Sequence, residues 1–214
     1  MTGRPLAFKF GEVMDATTVC NMALARLGGK RINDYGDSTD TKVEAIYCRL
    51  FYEQTAKALI RSHLWRFAQD RASLSQNATS PAFEYTYAYD LPNNFLRHLI
   101  LYDGSDMPLG NTYYSYSLEG KQLLCDIDTP LYLRYIKWVP SEADWDTLFV
   151  EVLVLQLARK LVIPLSQSVK LKTDIDNDLK ILGPTVRALD RQESEHIGRD
   201  SLKTWRDARH SDRA

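Results

Sequence analysis

The stretch WDTLFVEVLVLQLARKLVIPL, from Trp145 to Leu165, restricts what this chain can fold into more than any other. Leu148, Phe149, Val152, Leu153, Leu155, Leu157, Leu161 and Val162 cover most of the circumference of a helix. A helix that is apolar almost all round is a buried one. Glu151, Gln156, Arg159 and Lys160 interrupt it, so it falls short of the roughly 20 mostly uncharged residues a membrane span requires. Asp144 or Ser141 can cap its start, and Pro164 ends or kinks it. Each buried aliphatic side chain contributes about 1.5–3 kcal/mol. Chain entropy offsets most of that, so the helix needs partners that wrap it.

The flanking sequence supplies them. Asp15–Leu27 has an apolar face of Val19, Cys20, Ala23, Leu24 and Leu27. Asp15 or Thr17 can cap it, and Gly28-Gly29 can close it in a left-handed turn. Lys30–Asp40 reads as a solvated loop ending in a cap at Asp40 or Ser38; its acidic residues do not fit a calcium-loop spacing. Thr41–His63 reads as a long helix with Val43, Ile46, Tyr47, Leu50, Phe51, Leu59 and Ile60 at helical spacing. Glu53 and Lys57 stand in the favoured i,i+4 order. Beyond the central helix, Leu171, Ile175, Leu179, Leu182, Val186 and Leu189 keep one register straight through Gly183-Pro184. Ser166–Glu195 is therefore predicted as a continuous, kinked helix.

Between these helices the period changes to two. Leu64–Leu74 runs from a helix end into an extended segment. Phe83, Tyr85, Tyr87 and Tyr89 alternate, Leu99–Tyr102 is a short strand, and Tyr113–Leu118 and Lys121–Cys125 flank a hairpin turn at Glu119-Gly120. Leu131–Val139 is the clearest strand. The fold expected is thus mainly α (α+β): a four-helix bundle carrying an inserted small antiparallel β-sheet. Residues 15–63 and 141–195 form the bundle and 64–140 the sheet subdomain. Residues 1–14 show no period and read as a flexible extension. Residues 196–214 are polar and read as a C-terminal docking tail, because Trp205 beside Arg206 pairs two residue types enriched in binding hot spots.

No catalytic constellation emerges. His63, His98, His196 and His210 lie far apart, and Cys20, Cys48 and Cys125 stand at no metal-like spacing and read as buried free thiols. Asp126-Ile127-Asp128 reads as turn chemistry before Pro130, and Asp174, Asp176 and Asp178 as a solvated helix face. A net charge of −1 gives no whole-surface attraction to nucleic acid or anionic lipid. No metal, cofactor or catalytic residue is expected, and no membrane partner. Two other functions keep a foothold. Carboxylates such as Glu84 and Asp90 can flank a sugar bond if they face a cleft. The crowded tyrosines, interleaved with Arg and Lys, can stack bases, although tyrosine equally suits half-buried strands and protein interfaces.

The order of motifs narrows the choice. VCNMALARLGG, an acidic loop and a long helix ending LIRSHLWRFAQDRASL are followed by YAYDLPNNFLR, the GKQLL hairpin, LYLRYIKWV with Asp144–Phe149, LARKL and ALDRQES. This series, from Asp15 to Glu195 with a further match at SLKTWRDAR, resembles the head-to-tail adaptors of short-tailed phages, the tail tubular protein A family. The resemblance implies a non-enzymatic virion protein of the tail connector, made in the host cytoplasm. It implies a homo-oligomeric ring, typically a dodecamer, between the portal protein and the tail nozzle protein. DNA would pass through its lumen at ejection without specific binding. Portal docking would fall to the tail, to Leu202, Trp205, Arg206 and Arg209. The chain departs from the family pattern in its long N-terminal extension and in the Gly183-Pro184 interruption.

Overall fold

A computed structural model describes residues 14–103 and 115–192. Four helices, α1 (Ala16–Arg26), α2 (Val43–Ser62), α3 (Thr147–Ser166) and α4 (Val169–Gln192), accompany six strands. The strands are β1 (Gln69–Leu74), β2 (Tyr87–Asp90), β3 (Phe95–Tyr102), β4 (Tyr116–Glu119), β5 (Gln122–Cys125) and β6 (Leu131–Lys137). They make two three-stranded antiparallel sheets, ordered β1-β6-β3 and β2-β5-β4.

This is an α+β fold, which corrects the expected four-helix bundle with a small inserted sheet. The reason lies in the packing. α1, α2 and α4 each pack chiefly on α3, with only a small contact between α1 and α2. The core around α3 is completed by sheet residues: Ile136 and Val139 belong to it, with Leu96, Leu99 and Trp138 packed against it. The two sheets also enclose a second core of their own, built on Leu74, Tyr89, Leu101, Leu123, Leu131, Leu133 and Tyr135. Strand β6 joins the two cores. Its alternation sends Leu131, Leu133 and Tyr135 into the sheet core and Ile136 into the helical one.

Helix α3 is buried as its composition demands: Phe149, Leu153, Leu157, Ala158, Leu161 and Val162 are fully enclosed. Its cap is Asp146, which accepts from the amides of Leu148 and Phe149, in place of the anticipated Asp144 or Ser141. Asp144 sits instead in a 3-10 turn over Glu142–Asp144. Pro164 lies inside the helix, which continues to Ser166. Aromatic rings fill its start, with Phe149 edge-on to Trp65, Phe67 and Trp145.

The flanking helices follow their local signals closely. Asp15 caps α1 through the amide of Thr18, and Gly28, at φ +66°, turns the chain so that the Gly29 amide reaches the Leu24 carbonyl. Buried Asn21 then staples the loop, accepting from the Ile32 amide and donating to the Ile32 carbonyl. Helix α2 begins two residues later than expected and without a side-chain cap; Asp40 accepts from the Lys42 amide just ahead of it. Helix α4 runs unbroken through Gly183-Pro184. The hairpin turn is Gly120-Lys121, one residue beyond the expected pair, because Glu119 pairs with Gln122 and Gly120 carries the positive φ.

Candidate interaction surfaces

The strongest surface feature arises from how α2 is rotated. Of the large apolar residues expected to be buried, Leu59 and Ile60 are, but over the first part of the helix Ala45, Cys48, Tyr52, Thr55 and Ala56 turn inward instead. Small side chains at Ala45, Cys48 and Ala56 suit close packing on α3, and the two inward polar groups are satisfied. Tyr52 donates to Glu142 at 2.9 Å and Thr55 to the Phe51 carbonyl at 2.5 Å. Burial, with the Glu142 carboxylate alongside, pushes the Tyr52 phenol well above its ordinary value. The consequence is outward: Val43, Ile46 and Leu50 are 53%, 46% and 52% exposed. Tyr47 and Phe51, stacked on each other, border them half-buried. Farther along the same helix the outer surface turns polar, with Lys57 bonded to Glu53 as anticipated and Arg61 beyond.

The tyrosines do not form one stacking row. Tyr89 is fully buried with its hydroxyl donating to the Ile127 carbonyl, and its pKa is pushed up to about 12 by desolvation. Tyr135 is buried and bonded to Asn94, Tyr116 to His98, and Tyr85 to Ser115. Tyr102 and Tyr132, paired across β3 and β6, share a partly open patch with Arg71. Arg134, on the same face of β6 as Tyr132, is held by Gln69 at 2.6 Å. Tyr113 and Tyr114 lie outside the described residues.

Carboxylates do converge in one place. A cavity of about 710 Å³ lies between the segment 77–85 and the β2-β5-β4 sheet, and Glu84, Asp90 and Glu119 line it together with Phe83 and Leu124. Glu84 and Asp90, paired on sequence grounds alone, thus face the same space. All three carboxylates are exposed; Asp90 accepts from Asn77 and Glu119 from Ser117. Four other acidic groups have structural work. Asp126 accepts from the Thr86 amide and hydroxyl, Asp128 from the Thr129 amide, Asp176 pairs with Arg159 and Asp178 with Arg26. Among the described residues no three His, Cys, Asp or Glu side chains are grouped to hold a metal ion. Cys20, Cys48 and Cys125 are buried free thiols; the hydrogen bond to Cys48 and burial hold the Cys20 thiol far above its ordinary range.

Leu202, Trp205, Arg206 and Arg209, expected to dock to a portal, lie outside the described residues, like all of 196–214 and residues 1–13 of the expected N-terminal extension. What the structure does place is the end of α4 that leads toward that tail. Asp190 holds it to buried His63 at the end of α2. Sequence reasoning missed both this pair and the outward α2 stripe. The small residues at 45, 48 and 56 were the available signal for the stripe; nothing local signals a pair so distant in sequence. No described helix is long and apolar enough to cross a membrane. No protein-family model matches the chain, and no curated protein matches its sequence.

Proposed function

We propose that this chain is a structural connector subunit of a phage virion, assembling as a ring between portal and tail nozzle around the DNA ejection channel. The observation that carries this reading is the ordered series of motifs from Asp15 to Glu195, which resembles the tail tubular protein A adaptors. The outward stripe Val43–Ile46–Leu50 supports the assembly such a role requires. A ring closes through a heterologous contact in which one patch of a subunit meets a different patch of its neighbour. A solvent-facing apolar stripe on one helix suits one side of such a contact. The near-neutral net charge adds little repulsion between copies and little attraction for DNA in transit. Docking to the portal is assigned to Leu202, Trp205, Arg206 and Arg209. Electron micrographs and light scattering of the protein, alone and mixed with a candidate portal, test the reading. Portal-capping rings support it; a monomer that ignores the portal rejects it, and removal of residues 198–214 should abolish attachment without unfolding the chain.

A second reading rests on the cavity lined by Glu84, Asp90 and Glu119. Two carboxylates across a cleft can hydrolyse a glycosidic bond, one as acid and one as base or nucleophile. It ranks second because all three groups are exposed, whereas a general acid at neutral pH relies on burial to keep its proton. Zymography on cell-wall or polysaccharide substrates decides it: clearing that Asp90→Asn or Glu119→Gln removes would replace the connector reading.

A further inference from the structure

The β1-β6-β3 sheet has two unlike faces. Ala72, Leu101, Leu131 and Leu133 turn to the second core, and their neighbours along each strand point the other way. That outer face begins in the helical core at Ile136 and emerges from it at Arg134 and Tyr132. There Arg71 of β1 stands directly opposite Arg134 of β6. Two residues along, Ser73 stands opposite Tyr132, which in turn is opposite Tyr102 of β3.

Like charges directly opposite on a sheet are destabilising. Among the described residues neither guanidinium has a carboxylate partner. The adjacent Asp70 is engaged by Lys137 at 3.0 Å, and the half-buried Arg134 is fixed at 2.6 Å by Gln69, a neutral group. Arg71 is exposed and borders two cavities. One, of about 440 Å³, it shares with Ser73, Tyr102 and Tyr132; the other, of about 400 Å³, with Gln69, Asp70 and Arg134. Two planar guanidinium forks whose Cα atoms lie about 5 Å apart can hold one carboxylate between them. The tyrosine rings lie two residues farther on, roughly 6.7 Å along the strands, which is the spacing of alternate side chains in an extended chain. A nucleic-acid strand fits this face less well. It needs a row of cations along its backbone, and the third arginine of the face, Arg97, is turned to the Arg61 carbonyl.

We propose that this face is a docking surface for an extended acidic segment of another protein. Arg71 and Arg134 clasp its carboxylate, and an apolar side chain two positions away rests on Tyr102 and Tyr132. The bound carboxylate supplies the negative charge that the arginine pair lacks. The inference does not depend on the connector reading.

Fluorescence anisotropy with the full chain tests it. One labelled peptide contains Glu-Ser-Leu, and a second carries Gln in place of Glu. The first should bind, and the second should bind roughly tenfold more weakly. Arg71→Ala should weaken the first peptide by a similar factor, leave the protein's melting temperature unchanged, and remove the difference between the two peptides. No binding of the glutamate peptide overturns the proposal, as does a variant that still tells the peptides apart. A labelled oligothymidylate that binds more tightly than the glutamate peptide also overturns it, and assigns the face to nucleic acid.

Discussion

Asp190, near the end of α4, places a carboxylate oxygen 2.9 Å from Nε2 of His63, a residue 127 positions earlier at the end of α2. The other oxygen of Asp190 accepts from the Arg66 amide at 3.4 Å. His63 is 5% exposed and stands edge-on to Trp65, whose indole donates to the Leu59 carbonyl. One carboxylate thus ties α4 to the junction where α2 gives way to the sheets. Asp190→Ala should destabilise the fold by about 1–3 kcal/mol, since it removes a partner from a buried ring. Urea unfolding of the variant measures this; a midpoint equal to the parent's would mean the tie contributes nothing.

The outward stripe on α2 yields the opposite expectation. Ile46 and Leu50 are about half exposed, so Ile46→Asp/Leu50→Asp should leave stability within about 1 kcal/mol of the parent. If the stripe meets a neighbouring copy, the same change should abolish self-association, because two buried carboxylates would lack partners. Calorimetry and light scattering on one preparation separate the effects. Retained oligomers would remove the stripe from the interface.

The contrast between these two sites explains what could be read from the chain. Burial of α3 was legible because its apolar residues cover most of its circumference, and strand β6 because its alternation is nearly unbroken. Continuity of α4 was legible because one register spans Gly183-Pro184. The facing of the first part of α2 was not, since hydrophobic size predicts Val43, Ile46 and Leu50 inward where close helix packing selects Ala45, Cys48 and Ala56, although Leu59 and Ile60 are buried as expected. The fold class was missed because strand order depends on distant pairing. β1 meets β6 through Gln69 and Ile136, and β2 meets β5 through Tyr87 and Cys125. A period of two identifies strands without saying that they make two sheets with a core between them. The acidic pair Glu84 and Asp90 was legible by residue type alone; their shared cavity depended on the path of residues 77–85.

His98 on β3 accepts or donates in a 2.7 Å hydrogen bond with the Tyr116 hydroxyl of β4, so it links the two sheets. Burial, with the adjacent Arg97 guanidinium adding to it, holds its imidazole below the ordinary 6.5. The unfolded chain therefore takes up this proton first as pH falls. Stability contributed by neutral His98 is complete above about 6.5 and declines below it, toward the lowered folded value. Thermal melts across that range should show a slope that His98→Gln reduces. An identical slope in both proteins would assign the acid sensitivity to other groups.

Two glycines should respond in opposite directions to the same substitution. Gly120 carries φ +59° in the β4–β5 turn, where an added Cβ meets no atom within 4 Å. Space is therefore not the obstacle, and Gly120→Ala should cost about 1–2 kcal/mol through the left-handed backbone alone. Gly183 sits inside α4 with helical continuity on both sides, and its added Cβ meets nothing within 4 Å apart from its chain neighbours and the helix's own nearby backbone. If the Pro184 ring leaves room for a preceding Cβ, Gly183→Ala should stabilise by about 0.5–1 kcal/mol by restricting the unfolded chain. Paired denaturation curves read both signs at once. A loss of stability at Gly183 would mean that the helix depends on glycine to accommodate Pro184, and that its register persists there under strain.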